Sequence, residues 1–255
     1  MFAVLRVLDL FSGIGGFSLG LERTGGFQTV AFCEIDKNCQ ANLAKHWPEV
    51  PCYNDIRSLT AKRLSADGIA VDCIVGGFPC QDISAAGKRA GLSDGTRSGL
   101  WSEFHRLIGE LRPSFVIVEN VAALLSGPSQ FPGSWFGRVL GDLAEIGYDA
   151  EWESIQASAI GALHARDRVW VIAYPNSDCV RLQRIWSPQA VAWTKEQFTR
   201  LVQVALQSSI PTSSGSGIHD GVPNRAHRLR ALGNAVVPQI PELIGRAILA
   251  AKAPA

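Results

Sequence analysis

Four apolar runs in the first half of the chain each stop at residues suited to a turn or a binding edge, and that recurrence narrows the fold more than any other feature. Residues 6–11 give way to Ser12-Gly13-Ile14-Gly15-Gly16, and residues 29–33 to Glu34-Ile35-Asp36. Residues 71–75 stop at Gly76-Gly77, and the β-branched run 114–118 leads into Glu119-Asn120-Val121. Helix-like sequence lies between them: one stretch to about Arg23, one over 37–46, and one over 99–111. In the last, apolar positions 100, 104, 107, 108 and 111 form a helical stripe. Strand, turn and helix alternating in this way predict an α/β domain, a mostly parallel sheet with helices on both faces. Such sheets bind ligands at the carboxyl ends of their strands. The residues directly after each run are therefore the candidates for function.

Composition sets the outer limits. With 255 residues, 47% of them hydrophobic and 18% charged, the chain can bury a real core and is not disordered. Its longest apolar runs fall short of a bilayer span. The apolar start, residues 1–10, is interrupted by Arg6 and Asp9 and reads as a first strand rather than a signal peptide, so the expected location is the cytoplasm. Six cysteines (33, 39, 52, 73, 80 and 179) include no Cys-x-x-Cys pair and no zinc-like spacing, so no metal is expected. Most sit in apolar stretches as small buried hydrophobes. The net charge of +1 announces no nucleic-acid partner, but residues 176–230 carry seven Lys or Arg against three acids, a surface that suits phosphates.

The alternating rhythm ends at residue 174. We divide the chain into a first domain (1–174), a small inserted region (175–227) and a segment returning to the first domain (228–255). The middle region has one plausible helix, capped by Ser187 with Pro188 in its first turn, and a Ser/Gly-rich stretch at 208–217. The last segment ends in a helix from about Pro238.

At the expected binding edge, the glycine turn of residues 9–17 lets backbone approach a ligand, and Glu34 offers acceptors for ribose hydroxyls. Taken alone, the turn also fits a plain tight turn, and Glu34 a solvated loop acid. Gly76-Gly77-Phe78-Pro79 delivers Cys80 to the same cleft, and residues 84–98 have a lid-like composition in which Lys88 and Arg89 suit phosphates. Glu119 arrives on a buried strand, where desolvation favours a proton-donating carboxyl.

These motifs, in this order, resemble the DNA (cytosine-5) methyltransferase family of prokaryotic or phage type. The likeness covers roughly residues 6–174 and 228–250. Its fold implies a Rossmann-like S-adenosylmethionine-dependent methyltransferase sheet with a small inserted recognition region. Asp9, Phe11, Ser12, Gly13, Ile14, Gly15 and Gly16 resemble the first motif of the family. Glu34 and Ile35 match its ribose-binding segment, and Asp55 with Ile56 its adenine-binding one, where Asn54 replaces a glycine. Gly77 and Pro79 lead to the nucleophile Cys80, followed by Gln81 and Ser84. Arg97 and Leu100 belong to the segment that ends the catalytic loop. Glu119-Asn120-Val121 resembles the Glu-Asn-Val motif, and Arg166 with Arg168 the Arg-x-Arg pair. Asn234, Ala235 and Val236 resemble the last motif, which completes the cofactor site.

The resemblance implies S-adenosyl-L-methionine as cofactor and S-adenosyl-L-homocysteine as product. It also implies double-stranded DNA as partner and allows a cognate restriction endonuclease; a monomer is the simplest reading of the chain. Gln81, Ser84, Lys88, Arg89, Arg97, Arg181 and Arg184 are the candidate DNA contacts. His164 stands where the family usually has Gln, and the motif that organises the recognition region is not found. An RNA cytosine methyltransferase and a binding-only relative are the alternatives.

Overall fold

The computed structural model describes residues 3–79, 99–127, 133–156, 167–178 and 235–252. Its strands in chain order are β1 (Leu5–Leu10), β2 (Phe27–Cys33), β3 (Cys52–Tyr53), β4 (Cys73–Gly76), β5 (Phe115–Val121), β6 (Tyr148–Gln156) and β7 (Asp167–Pro175). Its helices are α1 (Gly16–Glu22), α2 (Lys37–His46), α3 (Ala61–Ala66), α4 (Leu100–Leu111), α5 (Ala123–Ser126), α6 (Ser134–Glu145) and α7 (Gln239–Lys252). The seven strands form one sheet in the order β3-β2-β1-β4-β5-β7-β6. The first five strands run parallel, as the sequence predicts. An antiparallel pair extends the sheet at one end, with β7 beside β5 and β6 outermost.

Side chains of the central strands alternate between two buried faces. Val116 and Val118 of β5 face one apolar cluster with Val169 and Val171 of β7, whereas Phe115 and Ile117 face another with Trp170 and Ile172. Helices cover both. Phe104, Leu107 and Ile108 of α4 and Val139 and Leu143 of α6 close the first face. Phe17 and Leu21 of α1 and Ile240, Ile244 and Ile248 of α7 close the second. A strand buried on both faces favours apolar residues throughout, which is why β4 and the first four residues of β5 read as continuous apolar runs. Each large aliphatic side chain so buried contributes about 1.5–3 kcal/mol.

Specific polar contacts fix how the layers meet. Asp36 caps α2, its carboxylate accepting from the backbone N–H of Asn38 (2.8 Å) and Cys39 (3.1 Å). The indole of Trp101, buried between α4 and α6, donates from Nε1 to Asp142 Oδ2 at 2.7 Å. On the opposite face the returning C-terminal segment lies against α1. A Cβ built on Gly16 would fall 2.5 Å from the Val236 carbonyl, and one on Gly20 2.1 Å from that of Pro238. Only glycine admits this approach, so residues 235–238 sit directly against the helix that follows the glycine turn. The helix expected from Ser187, the stretch 84–98 and residues 179–227, where the sequence places a small inserted region, lie outside the described residues.

Candidate active site

Strand register brings the candidate residues to one edge. Tyr53 pairs with Cys33, Cys33 with Leu10, Leu10 with Gly76, and Gly76 with Val118. These five residues form a row across the sheet, and the next residue on each strand lies beyond it: Asn54, Glu34, Phe11, Gly77 and Glu119. Arg168 joins them because β7 runs the other way, pairing Arg168 with Val121 and Trp170 with Glu119.

The first half of this edge is tied together through backbone amides. The Glu34 carboxylate accepts from Gly13 N at 2.7 Å and from Asp36 N at 2.8 Å. It thereby holds the glycine turn against the start of α2. A carboxylate has about four acceptor sites, so it retains capacity for two ligand hydroxyls. The turn closes on itself through Gly15 N to Ser12 O (2.8 Å), and Ser12 Oγ donates to Asp9 O at 2.6 Å. Asp9 itself lies wholly beneath α1, accepting from Ser18 Oγ at 2.7 Å through Oδ2 while Oδ1 has no partner. Burial pushes its carboxyl up to about 8, and the nearby Glu34 and Glu22 add to the shift against the Ser18 bond. Asp9 thus supports the turn from below.

Phe11 adopts a left-handed backbone conformation (φ 53°) that is costly for a side chain of its size. Its ring stacks on Phe104 of α4 with centroids 6.4 Å apart. Ile14 is partly buried in the same turn, and Ile35, beside Glu34, is 68% exposed. Asn54, where the resemblance has glycine, accepts from Lys37 Nζ (3.0 Å) and Gln40 Nε2 (2.8 Å), joining the end of β3 to α2. Asp55 stands at the rim, bonded to Arg57 N at 2.9 Å. Arg106 of α4 fixes this segment by donating to Ile56 O (3.0 Å) and Leu59 O (2.8 Å), and the Ile56 side chain is buried beneath it. Carboxylates at the ends of β2 and β3 repel phosphate, and an exposed isoleucine offers an apolar face. This half suits a nucleoside with free hydroxyls.

The second half is held by charge. Glu119 Oε1 pairs with Arg168 Nε at 2.8 Å, with both side chains largely buried. The guanidinium compensates the carboxylate for its loss of water. A Cβ on Gly77 would lie 2.9 Å from Glu119 Oε2, so glycine is needed there for the carboxyl to stand beside the β4 exit. Asn120, to which the sequence assigns no role of its own, donates from Nδ2 to Phe78 O at 3.1 Å and accepts from Val121 N at 2.8 Å. It anchors the chain one residue before the partly buried Pro79. Leu100 begins α4, partly buried against the first apolar cluster, and Ala235 and Val236 lie on the α1 side. Cys80, Gln81, Ser84, Lys88, Arg89, Arg97, Arg166, Arg181, Arg184 and Asn234 lie outside the described residues.

The four described cysteines are poor nucleophiles. Burial pushes the thiol of Cys33 up to about 12 and that of Cys39 to about 11, and raises those of Cys52 and Cys73. Among the described residues no cluster of His, Cys, Asp and Glu could hold a metal ion. No helix there is long and apolar enough to cross a membrane.

Residues 5–216 match the family described as C-5 cytosine-specific DNA methylase, and the chain belongs to that family. Among its relatives is the Type II methyltransferase M2.BsuMI of Bacillus subtilis (strain 168). The two are 36% identical over 173 residues, 66% of this chain and 42% of the relative. The Type II methyltransferase M.Bsp6I of Bacillus sp. (strain RFL6) is 29% identical over 199 residues, 78% of this chain and 61% of that one. The chain thus spans about half the length of the curated relatives it matches. A solved structure from an E. coli prophage, described as a DNA modification methyltransferase, superposes with a TM-score of 0.56 at 31% identity. It covers 68% of this chain and 47% of that one. The DNMT2 of Spodoptera frugiperda, at 22% identity and a TM-score of 0.54 over 68% of this chain and 50% of that one, shares the fold.

Proposed function

We propose that this chain transfers a methyl group to C5 of a cytosine flipped out of duplex DNA, with Cys80 as nucleophile. The observation that carries the reading is the Glu119–Arg168 pair, set beside the Gly77 exit that leads to Cys80. N3 and O2 are neighbours on the cytosine ring. Two groups 2.8 Å apart, one able to hold a proton and one cationic, match that edge.

Cytosine C5 is a weak nucleophile. Addition of the Cys80 thiolate at C6 makes the ring enamine-like, and Glu119 assists by donating a proton or hydrogen bond at N3. Arg168, supported by Arg166, stabilises charge that develops at O2. The activated C5 then takes the methyl group, loses its proton to a base, and Cys80 is expelled to restore the ring. Since C5 and C6 cannot be reached inside a duplex, the base must leave the stack. Residues 175–227, with Arg181 and Arg184, would meet the DNA, and Gln81, Ser84, Lys88, Arg89 and Arg97 would meet the flipped base and flanking phosphates. We read the protein as a monomer acting in the cytoplasm, and the Type II methyltransferase names of the relatives support a cognate endonuclease as its partner.

S-adenosyl-L-methionine fits the other half of the edge, and when bound it supplies a methyl group activated as a sulfonium. Glu34 would accept from the ribose hydroxyls and Asp55 from the adenine amine. Phe11 and Ile35 would flank the base, the turn from Ser12 to Gly16 would take the amino-acid end, and Gly77, Pro79, Leu100 and Asn234 to Val236 would close the pocket.

The deciding experiment is transfer of labelled methyl from S-adenosylmethionine to duplex DNA and, in parallel, to total RNA. 5-Methylcytosine in DNA is expected; label confined to RNA would replace the proposed substrate.

A further inference from the structure

The glycine turn is held from one side by Glu34 and is backed from the other by a residue that no motif includes. Gly15 has φ +84°, and a Cβ built there would fall 2.6 Å from Trp47 Cζ3 and 2.8 Å from Cη2. The six-membered ring of the indole thus lies directly against the backbone of the turn. The ring is fixed at two further points. Its Nε1 donates to Glu22 Oε2 at 2.9 Å, and its plane meets Phe32 of β2 edge-on with centroids 5.3 Å apart. Glu22 is occupied on its other oxygen by Thr29 N at 3.0 Å, which anchors the carboxylate to β2. Trp47 is the residue that ends α2, and Glu34 bonds Asp36 at the start of the same helix. The turn is therefore held at Gly13 by Glu34, which also binds the N-cap of α2, and at Gly15 by Trp47 at the C-cap of the same helix.

We propose that Trp47, oriented by Glu22, is a positioning residue for the cofactor turn: it sets the height of the Ser12–Gly16 backbone and so the affinity for the nucleoside cofactor. A buttress of this kind acts through preorganisation, since a turn already in its bound shape loses no ordering free energy on binding. The inference rests on the cofactor reading given above. It predicts a change in affinity without a change in the chemical step, because the catalytic groups lie on β4, β5 and β7.

Titration calorimetry with S-adenosylhomocysteine tests it on the full chain. Trp47→Ala is expected to weaken binding on the order of tenfold, with kcat at saturating S-adenosylmethionine within about twofold of the parent. Glu22→Gln, which keeps the ring but cannot accept from both Trp47 and Thr29, should give a smaller loss, and Trp47→Phe should recover part of the Ala deficit. A thermal melt separates this from mere instability: reversible unfolding weakens the apparent Kd only by the inverse of the folded fraction, and an irreversibly misfolded fraction lowers the stoichiometry, so a tenfold loss at near-complete folding is local to the turn. If Trp47→Ala does not fold, the Glu22→Gln and Trp47→Phe affinities decide the matter. Parent-like Kd in the folded variants overturns the inference and leaves the cofactor reading standing. A parent protein that fails to take up S-adenosylhomocysteine overturns both.

Discussion

The two halves of the binding edge are built by different forces. Along β1, β2 and β3 a carboxylate is tied to backbone amides, as Glu34 is to Gly13 and Asp36, and Arg106 is tied to the carbonyls of Ile56 and Leu59. Backbone has nowhere else to go, so this half is shaped before a ligand arrives. Along β4, β5 and β7 the central contact joins two side chains of opposite charge, Glu119 and Arg168. Under the proposed reading the base meets that half as a pair already assembled, N3 beside Glu119 and O2 beside Arg168. The difference teaches where substitutions act: changes in the first half should move affinity, and changes in the second should move rate.

The sharpest way to break that division is Cys80→Ala. Methyl transfer should fall by about 1000-fold or more, as when a covalent nucleophile is removed. S-adenosylhomocysteine affinity should stay at the parent value. DNA carrying 5-fluorocytosine should trap a covalent adduct on the parent, since fluorine cannot leave as the C5 proton does; retained turnover by the variant would remove Cys80 from its role. Glu119→Gln comes next. The amide keeps a hydrogen-bond donor but cannot release a proton, so kcat should drop on the order of 100- to 1000-fold with cofactor binding unchanged. A loss of cofactor affinity instead would mean that the two halves are not separable.

Glu34→Ala tests the other half. It removes the acceptor for any ribose and frees Gly13 N and Asp36 N together. Cofactor Kd should rise roughly 10- to 100-fold, the size expected for hydrogen bonds to a charged group. Single-turnover rate at saturating cofactor should stay within about threefold; an unchanged Kd would exclude Glu34 from the pocket.

Legibility from sequence followed the same physical line. The bounds of α2 were readable because Asp36 caps one end and Trp47-Pro48 closes the other, and those of α4 because its apolar stripe is regular. The edge itself was readable because glycines and acids interrupt apolar runs. By contrast, β6 has the sequence YDAEWESIQ, and as the outermost strand it keeps polar residues on exposed positions, which hides its strand character. In α6, Gly137 and Gly141 dilute the helical signal. β3 has two residues and α3 six, too few for any period. At the site, the motifs named Glu119 and Arg168 but not their pairing, which needs β7 to run antiparallel. Asn120 stood in a motif without a role and Trp47 in no motif at all, because what each does is set by what a distant stretch of chain places beside it.

The smallest effect expected is also the one that separates support from binding. Asp9 belongs to the first motif, yet its side chain is fully buried under α1. Burial raises its carboxyl from the ordinary 3.8 to about 8. Below pH 4 the folded and unfolded chains both hold the proton, and the group makes no difference. Between pH 4 and 8 the unfolded chain ionises while the folded one keeps its proton, so stability falls as pH rises through that window and levels off above it. Asp9→Asn keeps the shape and the Ser18 contact without the titration. Its melting temperature relative to the parent should therefore be higher at pH 8.5 than at pH 5, by a few degrees. Cofactor Kd should change little at either pH, because the side chain reaches the ligand only through the turn it supports. A pH-independent difference in melting temperature would mean that Asp9 is ionised in the fold. A large loss of affinity would move it from the foundation of the turn into the pocket.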